Sequence, residues 1–147
     1  MKLRFLLIAF LAMYVTEAAF AQATTSVKSK TEKVVQHRIV YDIVSADSVQ
    51  QGKIMKHLEK ILNHWPDAKI EMVVHGKGLD MLVKDRSVAS EALKALQAKG
   101  VVFAACENAM RGHNIRKEQL LPGVITVPMG IVEIIEKQEA GWSYIKL

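Results

Sequence analysis

The sequence predicts an α/β domain, a mostly parallel sheet with helices on both faces. Three observations lead there. Apolar, β-branched runs alternate with segments of helical spacing along residues 38–147, in the order β-α-β-α-β-α-β-α-β. Such alternation implies right-handed crossovers between parallel strands. The run Val101–Ala105 (VVFAA) is wholly apolar, as a strand covered on both faces must be. Hydrophobic residues make up 50% of the chain and charged residues 24%, which suits one globular domain and not a disordered chain.

Each element has its own signal. Arg38–Ser45 (RIVYDIVS) is rich in β-branched residues and reads as the first strand. Asp47 or Ser48 can cap the helix that follows. Over residues 48–65, Ile54, Met55, Leu58, Ile61, Leu62 and Trp65 recur on one helical face, and Pro66-Asp67 ends the run. Lys69–His75 (KIEMVVH) is the second strand, closed by Gly76-Lys77-Gly78. Leu79–Lys84 is either a short apolar loop or an extra half-turn. Ser87 can cap a second helix with Val88, Ala92, Leu93 and Leu96 on one face, ended by Lys99 and Gly100. Val101–Ala105 is the third strand, and Glu107 to about Gly112 a short helix. Glu118–Leu121 forms at most a brief turn before Pro122-Gly123. Val124–Val127 is the fourth strand, residues 131–140 the last helix, and Trp142–Leu147 (WSYIKL) a closing strand at a sheet edge. Strand order cannot be read from this pattern.

Residues 1–21 stand apart from the domain. Lys2 and Arg4 precede an apolar stretch from Phe5 to Val15, and Ala19-Phe20-Ala21 follows. Positive, apolar, then small residues is the order of a secretory signal peptide. The apolar stretch is short for a membrane span, which needs roughly 20 residues. The expectation is an exported, periplasmic protein with no membrane attachment after cleavage. Lys2 and Arg4 against Glu17 take one unit of charge with them, so a net +5 becomes +4. Residues 22–37, with Lys28, Lys30 and Lys33 among Ser and Thr, read as a polar arm. Scattered charge of this size, with no dense basic stripe and no interleaved aromatics, argues against a nucleic-acid partner.

Candidate chemistry lies where the strands end. Ligands of open α/β sheets collect beyond the carboxyl ends of the strands. Here those ends are Ser45-Ala46-Asp47, His75-Gly76-Lys77-Gly78, Cys106-Glu107-Asn108 and Pro128-Met129-Gly130. Cys106 is the single cysteine. A helix starting at Glu107 would set its positive end against the sulfur, and such settings lower a thiol pKa from about 8.5 to roughly 3.5–7.5. Arg111 can reach back to the same point, while Glu107 is expected to face solvent. The competing reading is a small core residue that completes the VVFAA run. His75 is the histidine at a strand end and a candidate acid–base partner for Cys106, or else a bland loop residue. Gly76 belongs to a turn able to bind an anion. Asp47 reads as a helix cap in preference to a catalytic carboxylate. No histidine or cysteine spacing matches a metal site, and neither a metal nor an organic cofactor is expected.

The stretch 101–147 carries a set of motifs together. C-x-N-x-M (Cys106, Asn108, Met110) follows an apolar strand; then come Leu120-Leu121-Pro122-Gly123-Val124, Val127-Pro128-Met129-Gly130 and Gly141-Trp142-Ser143-Tyr144-Ile145-Lys146. Upstream, HGKGLDML follows the second strand. In these features residues 38–147 resemble the exported, single-domain members of the DsrE/DsrF-like family. The resemblance implies a three-layer α/β/α fold with a five-stranded, mostly parallel sheet, and homo-oligomers, often trimers or hexamers. It implies that Cys106 accepts sulfur as a persulfide and passes it on, with Asn108 and Arg111 as neighbours in the motif. Position 109 is alanine, where similar sequences are expected to carry threonine. Two functions follow as expectations. One is sulfur handling through Cys106, between a sulfur donor and an acceptor. The other is a non-enzymatic oligomeric module that binds a small ligand or anion, with a structural Cys106. The absence of a G-x-S-x-G elbow argues against a classical hydrolase.

Overall fold

The computed structural model describes residues 35–147. The expected signal peptide and most of the expected polar arm lie outside them. Five strands alternate with four helices: β1 (Arg38–Ile43), α1 (Ser48–His64), β2 (Lys69–Val74), α2 (Ser90–Ala98), β3 (Val102–Cys106), α3 (Glu107–Gly112), β4 (Ile125–Val127), α4 (Gly130–Glu139) and β5 (Ser143–Lys146). Two 3-10 segments, Gly76–Leu82 and Lys117–Gln119, complete the order. The ambiguous stretch after β2 is the first of these. Leu79, Met81 and Leu82 are buried there, and Val83 bridges to Leu120.

All strand pairs are parallel, in the order β4-β3-β2-β1-β5. β2 is central, flanked by β1 and β3, and β4 and β5 are the edge strands. Asp47 caps α1 by accepting from the N–H of Val49 at 2.8 Å and of Gln50 at 3.4 Å. Ser87 does not cap α2. The helix starts three residues later, at Ser90, and the Ser87 hydroxyl accepts from Ala89 N–H instead. The reason is local: residues 83–87 close a turn in which both Arg86 and Ser87 donate to the Val83 carbonyl.

Alternation along the strands divides the core in two. Ile39, Tyr41 and Ile43 of β1, Ile70, Met72 and Val74 of β2, and Phe103 and Ala105 of β3 pack with α1, α2, Met110 and the first 3-10 segment. On the opposite face Val40, Val73, Ala104 and Val127 meet Ile134 of α4, with Trp142 beside them. α4 is the helix that covers this second face. The buried polar residues Asp42 and Glu71 share the parity of Val40 and Val73, so both project toward it.

Candidate functional site

Cys106 ends β3 and precedes α3, on the rim where the sequence places it. Its neighbours differ from expectation. The thiol is buried, 6% exposed, and makes no capping hydrogen bond to α3. Having the parity of Ala104, it turns to the α4 face. There the N–H of Gly130, first residue of α4, donates to Sγ at 3.1 Å. The ten-residue α4 supplies the helix end at the sulfur, and the short α3 does not. A hydrogen bond to sulfur is stronger when the sulfur is ionised.

Glycine at 130 is what permits this approach. A Cβ there would stand 3.1 Å from Val73 Cγ1, 3.3 Å from Cys106 Cβ and 3.7 Å from Sγ. Asn108 fixes the same junction through its backbone, donating to the Pro128 carbonyl at 3.2 Å. The V-P-x-G motif is therefore half of the thiol's environment, a pairing that spacing along the chain does not reveal.

Arg111 makes no hydrogen bond to the sulfur among the described residues. Its guanidinium donates to Asn108 Oδ1 at 3.1 Å. With Arg116, Lys117 and Glu107 it lines a hollow of about 210 Å³ floored by Met110 and Ile115. Glu107 does not simply face solvent, because Thr126 Oγ1 donates to it at 2.8 Å and Lys117 Nζ lies at 2.7 Å. The Lys117 hydrogen bond, then that of Thr126, holds its carboxyl below the ordinary glutamate range.

His75 occupies the end of β2 as expected, and its backbone N–H continues the ladder by donating to the Ile43 carbonyl at 2.9 Å. Its ring is committed to a residue not anticipated from the sequence. Nε2 lies 2.6 Å from Oδ1 of Asp42, whose other oxygen accepts from Tyr144 OH at 2.8 Å and has Lys146 Nζ at 4.0 Å. The Asp42 hydrogen bond pushes the Tyr144 phenol above its ordinary range. A lone aspartate inside the apolar strand RIVYDI was the available signal. Gly76 follows with φ +56°, where a side chain would be strained and its Cβ would touch Val44 Cγ1 at 3.0 Å.

A second polar group lies under α4. Lys137 Nζ is 2.5 Å from Glu71 Oε2 and 3.4 Å from Glu133 Oε1, and it sits 4.6 Å from the centre of the Trp142 ring. Burial pushes the Glu71 carboxyl up, against the pull of Lys137. Burial also works against the Lys137 charge, yet the hydrogen bonds and charges of Glu71 and Glu133 carry its pKa above the usual lysine value.

The family model of the DsrE/DsrF-like family matches residues 38–147, the whole of this sheet and its helices. The chain belongs to the DsrE/DsrF-like family. Among solved structures it is similar to the protein of unknown function MTH1491 from Methanobacterium thermoautotrophicum, with 28% identity and a TM-score of 0.73 over 76% of this chain and 100% of that one. The ychN protein from E. coli shares the fold at 12% identity and a TM-score of 0.64, over 77% and 100% of the two chains. BT1422 from Bacteroides thetaiotaomicron, a conserved protein of unknown function, does so at 12% identity and 0.64, over 75% and 94%. No curated protein matches in sequence. DsrE/DsrF-like membership brings a general relation to sulfur relay. It bears out the α/β fold and the parallel five-stranded sheet expected from the sequence.

Proposed function

We propose that this DsrE/DsrF-like protein carries sulfane sulfur on Cys106. The observation behind the reading is the Gly130 N–H at the start of α4, aimed at Sγ from 3.1 Å. It stabilises the ionised sulfur that the chemistry needs. In the first step the Cys106 thiolate attacks the outer sulfur of a thiosulfate-type donor. The donor S–S bond breaks, sulfite leaves with the bonding pair, and Cys106 holds a persulfide. In the second, an acceptor thiolate attacks the outer persulfide sulfur and the Cys106 thiolate leaves. No oxidant, metal or organic cofactor is required. Arg111, Arg116 and Lys117 supply positive charge near the rim for an anionic donor.

The test is intact-mass spectrometry after incubation with thiosulfate or polysulfide. The expected gain is about 32 Da, one sulfur atom, absent in Cys106→Ser and reversed by an acceptor thiol. No gain on a protein whose Cys106 alkylates in the native state would overturn the reading. One observation favours the second reading, a binding module with a structural cysteine: Cys106 is only 6% exposed. That reading expects slow native-state alkylation, and small-anion binding that survives Cys106→Ser.

Self-association belongs to the same proposal. Met129, Ile131, Val132 and Ile135 of the α4 region are 41–52% exposed, with Val102 and Tyr144 of the same sheet face also open. A second copy of the chain is the partner we propose for this apolar face, in a trimer or hexamer. Ile131→Glu with Ile135→Glu should lower the sedimenting mass to that of one chain. We also propose that the protein works after export, in the periplasm, given the order of charge, apolar stretch and small residues in 1–21.

A further inference from the structure

Asp42 is a buried carboxylate whose two oxygens are both engaged, by His75 on one side and by Tyr144 and Lys146 on the other. Edge-strand pairing alone would account for Tyr144 and Lys146, since β5 runs beside β1. It does not account for His75, which comes from the opposite neighbour, β2.

Register places this pair relative to Cys106. Asp42 pairs with Val73, and Val74 pairs with Ala105. One residue further along, His75 comes level with Cys106. Parity sets Asp42 with Val40, His75 with Val73 and Cys106 with Ala104, all on the α4 face. Carboxylate, imidazole and thiol thus occupy three adjacent strands, β1, β2 and β3, in that order and on one side of the sheet. No direct hydrogen bond joins His75 to Cys106 among the described residues.

The carboxylate sets the imidazole's state. With Asp42 ionised, Nε2 is the donor at 2.6 Å, so in the neutral ring the lone pair is on Nδ1. Nδ1 has no hydrogen-bond partner among the described residues. The ring is 27% exposed, open enough to exchange a proton with solvent or with a bound donor. The following 3-10 segment carries Lys77 and Asp80, with Asp80 taken by Arg86 at 2.8 Å. From α4, Glu133 and Lys137 turn to Glu71, two strand steps back.

We propose that Asp42 and His75 are the proton-handling pair of the Cys106 site, with Tyr144 holding Asp42 in place. This rests on the sulfur-carrying reading above. His75 Nδ1 takes the Cys106 proton through one bridging water, and the thiolate so formed attacks the donor. The imidazolium then returns the proton to the departing sulfite. In the second half the acceptor thiol gives its proton to His75, its sulfur takes the outer persulfide atom, and the imidazolium returns the proton to the departing Cys106 thiolate. Asp42 and Tyr144 are positioning residues, since they act on the ring and not on sulfur.

The experiment follows Cys106 alkylation by iodoacetamide and persulfide loading from thiosulfate, each across pH, in the full chain. His75→Gln should load roughly 100-fold more slowly at neutral pH and converge on the parent in strong alkali, where the thiol ionises unaided. Asp42→Asn should slow it roughly tenfold and displace the same inflection. Tyr144→Phe, on a half-exposed side chain, should do so roughly two- to tenfold and serves as the deciding variant if Asp42→Asn fails to fold. Unchanged pH profiles in folded His75→Gln and Tyr144→Phe, with loading intact, overturn the pair and leave sulfur carriage standing. A parent that never loads sulfur, yet alkylates with a His75-dependent profile, overturns sulfur carriage and supports the pair.

Discussion

Among the described residues, one face of the sheet meets α1, α2, α3 and a 3-10 segment, and the other meets α4. The first is packed with Tyr41, Phe103, Leu58, Leu93 and Leu96, all essentially inaccessible. The second holds five buried apolar residues and, among them, an aspartate, a glutamate and a cysteine. Burying charge costs stability unless it is paired, and both carboxylates have partners from other elements: Asp42 from His75 and Tyr144, Glu71 from Lys137. The crowded face holds most of the apolar core, and the sparse face holds the groups on which the proposed chemistry rests.

That contrast can be broken by mutation, and the largest effect belongs to the crowded face. Phe103→Ala should cost about 3–5 kcal/mol in urea unfolding, because its fully buried ring leaves a cavity between β3 and the helices. Gly130→Ala, on the sparse face, should cost about 1–3 kcal/mol, since its Cβ would press on Val73 and Cys106, which must give by a few tenths of an ångström. It should also speed alkylation of Cys106 by displacing the N–H that now holds Sγ. Equal labelling of the two proteins would show that this hydrogen bond does not govern access.

Glu71 sharpens the comparison through pH. Burial raises its pKa in the fold, so the folded state holds that proton more tightly than the unfolded chain. Its contribution is most favourable in acid and is lost as pH rises from the ordinary glutamate value through the raised one. In Glu71→Gln, urea midpoints measured across that window should fall less steeply than in the parent. The smallest change is Tyr41→Phe. Its hydroxyl is buried on the crowded face with no partner among the described residues, and burial pushes its pKa to about 12. Removing it should leave the unfolding free energy within about 1 kcal/mol, with a gain expected.

Much of this is visible in the sequence, and the division is physical. The β-α alternation, the caps at Asp47 and Gly100, and the rim position of Cys106 follow from local periodicity and turn chemistry. Strand order does not, because any right-handed crossover fits the same alternation. Nor does the helix that faces the thiol. Chain adjacency points to Glu107–Arg111, but alternation past Ala104 turns Sγ to the opposite face and to Gly130, 24 residues away. Asp42 and Glu71 were legible only as polar interruptions in RIVYDI and KIEMVV. Their partners, His75, Tyr144 and Lys137, come from other elements.

The Gly130 N–H has a mechanical side. It belongs to the first residue of the helix that bears the exposed Ile131, Val132 and Ile135. Anything bonded to Cys106 must displace that N–H or inherit it, because the N–H is the one hydrogen-bond partner of Sγ among the described residues. Under the proposed function, an atom added at the sulfur is felt at the first residue of the helix whose outer surface a second copy would touch, which would give cargo and assembly a common lever.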